Sequence, residues 1–177
     1  MARTIALIAS IWLLAATQTG ATSTLEQIAE FNVPEANQGI GVGARHFYAV
    51  DNQAIAKYDK KTGTLVKKWQ GEKDGPLRHL DGAIVMDGKL YAAHSNYPDW
   101  PMTSSLEIFD AETMEHIGTH SFGVRWGSLT WVDWHDGHWW KGFANYDRLL
   151  GPGKTPYGQT ANTVMVKLTK DFQQGQS

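Results

Sequence analysis

Residues 80–117 read LDGAIVMDGKLYAAHSNYPDWPMTSSLEIFDAETMEHI, and this stretch decides the fold. A short apolar run over residues 83–86 ends at Asp87-Gly88, a dipeptide that favours a type I′ hairpin because both turn residues take positive φ. A second strand is predicted from Lys89, and a third over residues 105–109 after a loop with two prolines. Asp110-x-x-Thr113 predicts a corner, since the Asp side chain accepts hydrogen bonds from the backbone of the turn, and a fourth strand follows over residues 114–117.

The same plan returns on both sides of this stretch. Strand-like runs lie at residues 39–42, 46–50, 54–58 and 65–69 upstream, and at 129–134, 139–144 and 163–168 downstream. The first hairpin turns of the three units follow one another at intervals of 44 and 49 residues, and Asp59-x-x-Thr62 lies 51 residues before Asp110-x-x-Thr113. Four strands per unit at this period are typical of a β-propeller blade.

The predicted fold is therefore all-β, a partial β-propeller of about three four-stranded blades. The blades are expected at residues 38–70, 80–122 and 128–177, the last one incomplete. Closed rings use about 4 to 8 blades, so an incomplete or truncated ring is expected, with uncovered blade faces that favour self-association. An ordinary antiparallel sandwich is the alternative.

Charge and cysteine usage exclude several classes of function. The formal net charge is −2, and lysines and arginines are scattered singly, so neither a nucleic-acid surface nor a polybasic membrane patch is expected. The chain has no cysteine, which rules out a disulfide framework, a thiolate metal site and a cysteine nucleophile.

Residues 1–21 have the pattern of a secretory signal peptide. Arg3 supplies the positive start, residues 5–16 are apolar, and Thr19-Gly20-Ala21 offers a small-residue cleavage site. We therefore expect a mature propeller domain over residues 25–177 that is periplasmic or secreted and has no membrane segment after cleavage. An uncleaved membrane anchor is the alternative.

The candidate site follows from the propeller prediction. In such a fold the end of each second strand and the start of each first strand meet at the mouth of the central channel. At the ends of the second strands, the residues expected there are Asp51, His94 and Asn145. At the starts of the first strands, they are Gln38, His79 with Asp81, and Ser128. The predicted catalytic residues are His94 or His79, as the proton-transfer group, and Asp51 or Asp81, as the carboxylate that orients the imidazole or holds a cation. The predicted ligand-binding residues, which orient the ligand through hydrogen bonds, are Gln38, Ser128 and Asn145. Capping of turns is the alternative role, and a divalent cation stays open as a cofactor.

The loop over residues 94–101 adds a predicted wall beside the channel. Asn96, Tyr97 and Trp100 are expected to contact a ligand there, although Tyr97 and Trp100 also suit packing on a neighbouring blade. His135 and His138 flank the Asp136-Gly137 hairpin turn at the opposite end of the sheets, and two imidazoles without a third ligand make a weak zinc site.

Several segments resemble one family. They are PEANQG at 34–39, RHFYAVDN at 45–52, LYAAHSNYP at 90–98, PMTSS at 101–105 and HSFG at 120–123. Together with the residues around them, over about residues 30–148, they resemble secreted bacterial β-propeller-like proteins of a six-bladed type, longer than this chain, some of which are labelled cycloisomerase. The resemblance implies a propeller with cycloisomerase-like or lactonase-like activity.

Three hypotheses about function follow. The first is an exported propeller that binds a small polar metabolite at the channel mouth and isomerises or lactonises it. The second is a propeller that binds or scaffolds without catalysis, and the third is an inactive fragment of a longer protein. The sequence leaves the substrate, the metal and the choice among these three open.

Overall fold

The computed structural model describes residues 25–147, 149–150, 155–156 and 159–174. The chain divides into two compact units, residues 1–30 and residues 31–177. In the first unit, residues 25–30 form no regular secondary structure. The predicted signal peptide, residues 1–21, lies outside the described residues. None of the helices in the part of the chain that is described has the length and apolarity needed to cross a membrane.

The second unit contains three antiparallel sheets, each made of consecutive strands. Sheet 1 consists of β1 (Gly39–Val42), β2 (His46–Asp51), β3 (Ala54–Asp59) and β4 (Leu65–Gln70). Sheet 2 consists of β5 (His79–Met86), β6 (Lys89–Ser95), β7 (Ser104–Asp110) and β8 (His116–Gly123). Sheet 3 contains β9 (Ser128–His135), β10 (His138–Ala144) and β13 (Val164–Leu168). Two short elements precede β13: a pair of two-residue strands, β11 (Leu149–Leu150) and β12 (Thr155–Pro156), and a 3-10 helix (Thr160–Asn162).

This arrangement confirms the prediction of an all-β, partial β-propeller. A sandwich would draw the strands of one sheet from separated parts of the chain, whereas sheets 1 and 2 each have their four strands in chain order. Sheet 3 has three strands, and an antiparallel bridge between Leu168 and Gln174 follows its last strand.

The turns that define the repeat form as predicted. Asp87 and Gly88 have φ of 51° and 74°, and Asp136 and Gly137 have φ of 49° and 72°, as a type I′ hairpin requires. At the corners, Asp59 Oδ1 accepts from the backbone N–H of Thr62 at 2.9 Å, and Asp110 Oδ1 accepts from that of Thr113 at 2.7 Å.

Two strand boundaries differ from the prediction. β8 begins at His116 rather than at residue 114, because Met114 still belongs to the corner: its φ is 58° and its N–H donates to the carbonyl of Asp110 at 2.9 Å. β5 begins at His79 rather than at residue 83, and a bulge between Leu80 and Ala83 interrupts its pairing with β6. Because the bulge interrupts the alternation of side chains between the two faces of the sheet, a period-two pattern of apolar residues does not reveal where this strand begins.

Neighbouring sheets pack face to face, and sheet 2 contributes to both interfaces. In β6, Leu90 and Ala92 belong to the apolar cluster shared with sheet 1, whereas Tyr91 and Ala93 belong to the cluster shared with sheet 3. Sheet 2 is therefore covered on both faces, which explains why β6 is apolar over four consecutive residues. Burial of each large apolar side chain in these clusters stabilises the fold by about 1.5–3 kcal/mol.

The first strands of the three sheets approach closely at two glycines. A Cβ on Gly39 would lie 2.8 Å from Gly82 Cα, and a Cβ on Gly82 would lie 3.0 Å from the carbonyl oxygen of Thr130. No side chain fits in either place without a shift of the backbone. These contacts set how far the strand ends of neighbouring sheets are from each other.

The outer faces of sheets 1 and 3 carry exposed apolar side chains. On β1, Ile40 and Val42 are 50% and 57% exposed, and they point away from the buried Gly41. On sheet 3, Trp131 and Met165 are 44% and 65% exposed, and both are cross-strand neighbours of Gly142. These are the faces that further blades of a propeller would cover.

Candidate functional site

The candidate site lies where β2 ends, β5 begins and the loop after β6 turns over the strand ends. Five residues form it, and we call them the rim site: Gln38, Asn52, His79, Asp81 and Tyr97. The carbonyl of Asn52 accepts from the backbone N–H of Leu80 at 2.9 Å, so the turn after β2 is fixed directly to the start of β5. Hydrogen bonds of this kind place residues far apart in the sequence next to one another.

The Asn52 side chain orients the His79 imidazole. His79 Nδ1 lies 2.5 Å from Asn52 Oδ1, and Gln38 Nε2 donates to the same oxygen at 3.1 Å. Because an amide oxygen only accepts, His79 carries its proton on Nδ1 in the neutral form. The lone pair of Nε2 is then available as a base.

Asp81 lies on the Nε2 side of this imidazole. Its Oδ2 is 3.7 Å from His79 Nε2, and the two side chains are 16% and 14% exposed. Burial raises the pKa of Asp81 to about 6 and lowers the pKa of His79 below its usual range. Both shifts disfavour the charged forms, so the Asp81 carboxyl group keeps its proton to a higher pH than usual and the His79 imidazole stays neutral to a lower pH than usual.

Tyr97 extends the rim site towards sheet 3. Its ring centroid is 4.9 Å from that of His79 and 5.4 Å from that of Tyr146. Trp100, in the same loop, is 54% exposed and lines a cavity of about 620 Å³ together with Asn145. Of the predicted aromatic wall, Tyr97 lies next to His79 and also packs against Tyr146 of the following sheet, whereas Trp100 lines the cavity.

His94 has a different environment. Its Nδ1 is 2.8 Å from Ser105 Oγ, and its Nε2 accepts from the backbone N–H of Arg78 at 3.2 Å, so both ring nitrogens are used. Burial lowers the pKa of His94, and the nearby Glu107 carboxylate opposes that shift. With no ring nitrogen left over for a substrate, His94 is suited to holding the connection before β5, and His79 is the better placed proton-transfer group.

The other predicted residues are held by local contacts. Asp51 Oδ1 accepts from the backbone N–H of Asn52 at 2.8 Å, and Ser128 Oγ donates to Ser95 Oγ at 2.7 Å below the surface. Asn145 Nδ2 donates to the carbonyls of Trp126 and Asn162. Asn96 uses both ends of its amide inside its own loop, where Nδ2 donates to the carbonyl of Pro101 and Oδ1 accepts from the N–H of Thr103.

His135 and His138 are a cross-strand pair at the hairpin that joins β9 and β10. His138 Nδ1 lies 2.6 Å from the carbonyl oxygen of Asp136 and so belongs to the turn. Among the residues that the structure describes, no group of three or more His, Cys, Asp or Glu side chains is arranged to hold a metal ion.

Sequence reasoning missed Asn52 and a buried network around Glu107. Nothing in the sequence indicates that the side chain of Asn52 meets His79. The Glu107 carboxylate, 1% exposed, accepts from Ser105 Oγ at 2.6 Å, His116 Nε2 at 2.7 Å and Thr119 Oγ1 at 2.6 Å. A glutamate between Leu106 and Ile108 in a predicted strand was the available signal, because a buried carboxylate requires partners.

Comparisons with known proteins add little. No family model matches the sequence, and no curated protein matches it. Among solved structures, the computationally designed Ika8 protein is 11% identical and aligns over 60% of this chain and 42% of its own, with a TM-score of 0.31. This chain thus spans less than half of that protein's length, and a likeness this weak carries no argument about fold or function.

Proposed function

We propose that this protein is exported and binds a small polar metabolite at the rim site, where His79 and Asp81 transfer a proton to isomerise or lactonise it. The observation that carries the proposal is the pairing of an imidazole, whose Nε2 is left as a base by Asn52, with a carboxyl group 3.7 Å away whose pKa is about 6. A neutral imidazole that accepts a proton, next to a carboxyl group that keeps its proton to a higher pH than usual, supplies the general base and the general acid that such a reaction requires.

The chemistry assigns one proton to each group. Nε2 of His79 takes a proton from the substrate, and the protonated fraction of Asp81 gives one to another atom of the substrate. The substrate changes its bonding with no net gain or loss of protons, as an isomerisation demands. The two groups then return to their starting states when the proton moves from His79 to Asp81 through one bridging water, since 3.7 Å is too far for direct transfer.

The surroundings support binding of a small molecule. Tyr97 and Trp100 supply ring faces, and Gln38 supplies an amide at one edge of the site. The export part of the proposal rests on the signal pattern of residues 1–21. Amino-terminal sequencing of the protein recovered from the periplasm tests it: a start after residue 21 supports export, and an intact Met1 in the cytoplasm contradicts it.

Proton exchange tests the catalytic part. The purified protein is incubated in D₂O with a panel of small hydroxy acids and their lactones, and proton NMR follows deuterium entering carbon positions. We expect exchange with the wild type and a loss of at least about a hundredfold in His79→Ala and Asp81→Asn, the size of effect typical of general acid–base groups. His135→Ala is the matched control and should exchange at the wild-type rate. Equal exchange rates in all four proteins would contradict the proposal.

The second hypothesis, a propeller that binds or scaffolds without catalysis, is favoured by the exposed apolar faces of sheets 1 and 3. We propose that these faces associate with a second copy of the chain, because Trp131 and Met165 are both exposed on either side of Gly142. Sedimentation velocity over a range of concentrations should show oligomers that Trp131→Ser combined with Met165→Ser weakens. A monomer at every concentration would contradict self-association.

A further inference from the structure

A cavity of about 620 Å³ lies next to the rim site, between sheets 2 and 3. Its walls come from the loop after β6, the connection between β8 and β9, and the segments around β10 and the 3-10 helix, through Trp100, Met102, Arg125, Trp126, Asn145 and Asn162. The volume is that of a pocket for a small organic molecule. The loop that carries Trp100 also carries Tyr97, which contacts both His79 and Tyr146, so the cavity adjoins the rim site.

The walls favour a ligand with a flat aromatic ring. Two indole rings, those of Trp100 and Trp126, line the cavity together with Met102 and other apolar side chains. Trp100 is 54% exposed, which is a large fraction for a tryptophan, and Trp126 is half-buried. Aromatic faces of this kind pack well against another ring.

One side chain among the described residues sets the charge of the cavity wall. Arg125 is the only ionisable side chain among the described residues that line it. Its guanidinium group lies 4.5 Å from the centre of the Trp126 ring, and one of its nitrogens donates to Gln174 Oε1 at 2.6 Å. Within the described part of the chain Arg125 has no carboxylate partner, so a positioned guanidinium with further N–H donors faces the cavity without a neutralising charge.

We propose that this cavity binds a small aromatic carboxylate, with the ring against the indoles of Trp100 and Trp126 and the carboxylate on the Arg125 guanidinium. A planar guanidinium pairs with a carboxylate through two parallel hydrogen bonds, and none of the described residues that line the cavity is acidic, so these residues offer an anion no opposing charge. The inference goes beyond the proposed function, because the cavity adjoins the rim site but none of the five rim-site residues lines it. It adds the chemical class of the ligand and a specificity residue.

Binding of benzoate and indole-3-acetate to the full mature chain tests the proposal, with benzamide and benzyl alcohol as neutral analogues of benzoate. We expect benzoate to bind more tightly than either neutral analogue, by titration calorimetry or ligand-observed NMR. Arg125→Gln should weaken benzoate binding at least about tenfold, a loss of about 1.4 kcal/mol, and leave benzyl alcohol binding unchanged. Arg45→Gln, which removes an exposed arginine of the connection between β1 and β2, is the matched control and should not change benzoate binding.

Two further variants keep the test decisive. Arg125→Lys retains the charge without the planar fork and should bind benzoate with intermediate affinity, while Trp100→Ala should weaken benzoate and benzyl alcohol alike. Circular dichroism establishes that each variant is folded. Benzoate binding no tighter than benzamide, benzoate binding unaffected by Arg125→Gln, or no binding of either aromatic acid would overturn the proposal.

The benzoate-binding experiment and the proton-exchange experiment test the two proposals independently. His79→Ala should leave benzoate affinity unchanged, since His79 does not line the cavity. If proton exchange depends on His79 but benzoate binding does not depend on Arg125, the proposed ligand of the cavity is wrong and the proposed function of the rim site is supported. If benzoate binding depends on Arg125 but proton exchange does not depend on His79, the proposed ligand of the cavity is supported and proton transfer at the rim site is contradicted.

Discussion

Two lysines are buried at the interfaces of the propeller sheets, and their surroundings differ completely. Lys57 of β3, 1% exposed, lies between sheets 1 and 2 and donates to both the carboxylate and the backbone carbonyl of Glu112, at 2.9 and 3.1 Å. Lys141 of β10, fully buried between sheets 2 and 3, has no hydrogen-bond partner among the described residues. Its Nζ lies among rings instead, 4.5 Å from the centre of Trp139 and 4.7 Å from that of Phe172.

The two interfaces differ in the groups that they offer to a buried ammonium group. At the first interface the ammonium group replaces its lost water with two oxygens, one of which belongs to a solvent-exposed carboxylate. At the second interface only aromatic faces are offered, and cation–π attraction offsets part of the desolvation cost. Burial therefore lowers the pKa of Lys141 to about 7.

The largest expected effect is that of Lys141→Met. In the unfolded chain the pKa of lysine has its usual value of 10.5, so the folded state releases a proton more readily, and wild-type stability rises as pH increases from about 7 towards 10.5. The variant has no such penalty. We expect it to be more stable by on the order of 3 kcal/mol at pH 7, with a smaller gain at pH 10.

Urea unfolding followed by tryptophan fluorescence at several pH values measures this gain. Lys167→Met, at an exposed position of neighbouring strand β13, is the control and should change stability little at any pH. A Lys141→Met variant that is less stable than the wild type across the whole pH range would mean that the aromatic surroundings stabilise the ammonium group.

The same substitution at Lys57 should act in the opposite direction. Lys57→Met leaves the backbone carbonyl of Glu112 without its donor and removes the ion pair. We expect a loss of about 2 kcal/mol at pH 7, measured by the same unfolding experiment. A gain in stability would remove the contrast between the two interfaces.

Asp81 is less completely buried than the two lysines, and the effect of replacing it should be smaller. Burial raises its pKa from 3.8 to about 6, so the folded state binds the proton more tightly, and wild-type stability is lost as pH rises from about 4 through 6. Asp81→Asn should match the wild type at pH 4 and exceed it by about 1 kcal/mol at pH 8. Stability curves that stay parallel from pH 4 to pH 8 would show that Asp81 ionises without cost.

The smallest effect is expected for Glu112→Gln. The Glu112 side chain is 73% exposed, so water replaces most of what the carboxylate contributes, and the backbone carbonyl still accepts from Lys57. We expect its unfolding midpoint to agree with that of the wild type within measurement error. A loss as large as that of Lys57→Met would assign the whole interaction to the carboxylate.

The sequence alone determined the repeat and most strand positions, because both depend on local chemistry. Asp87-Gly88 and Asp136-Gly137 fix hairpins through the φ values that they adopt, and the carboxylates of Asp59 and Asp110 fix corners through hydrogen bonds to residues two and three positions later. Interactions over so few residues recur wherever the same pattern recurs.

Only the tertiary structure decided which side chains meet. The sequence predicts His79 and His94 at the same rim and does not distinguish which of them transfers a proton. The contacts of each depend on the register and packing of different sheets. The close approach of Gly39 to Gly82 and the bulge after Leu80 bring His79 to Asn52 and Asp81, whereas the pairing of β6 with β7 commits His94 to Ser105. Whether Lys141 finds a partner is settled in the same way, because the groups that surround a buried charge come from strands distant in sequence.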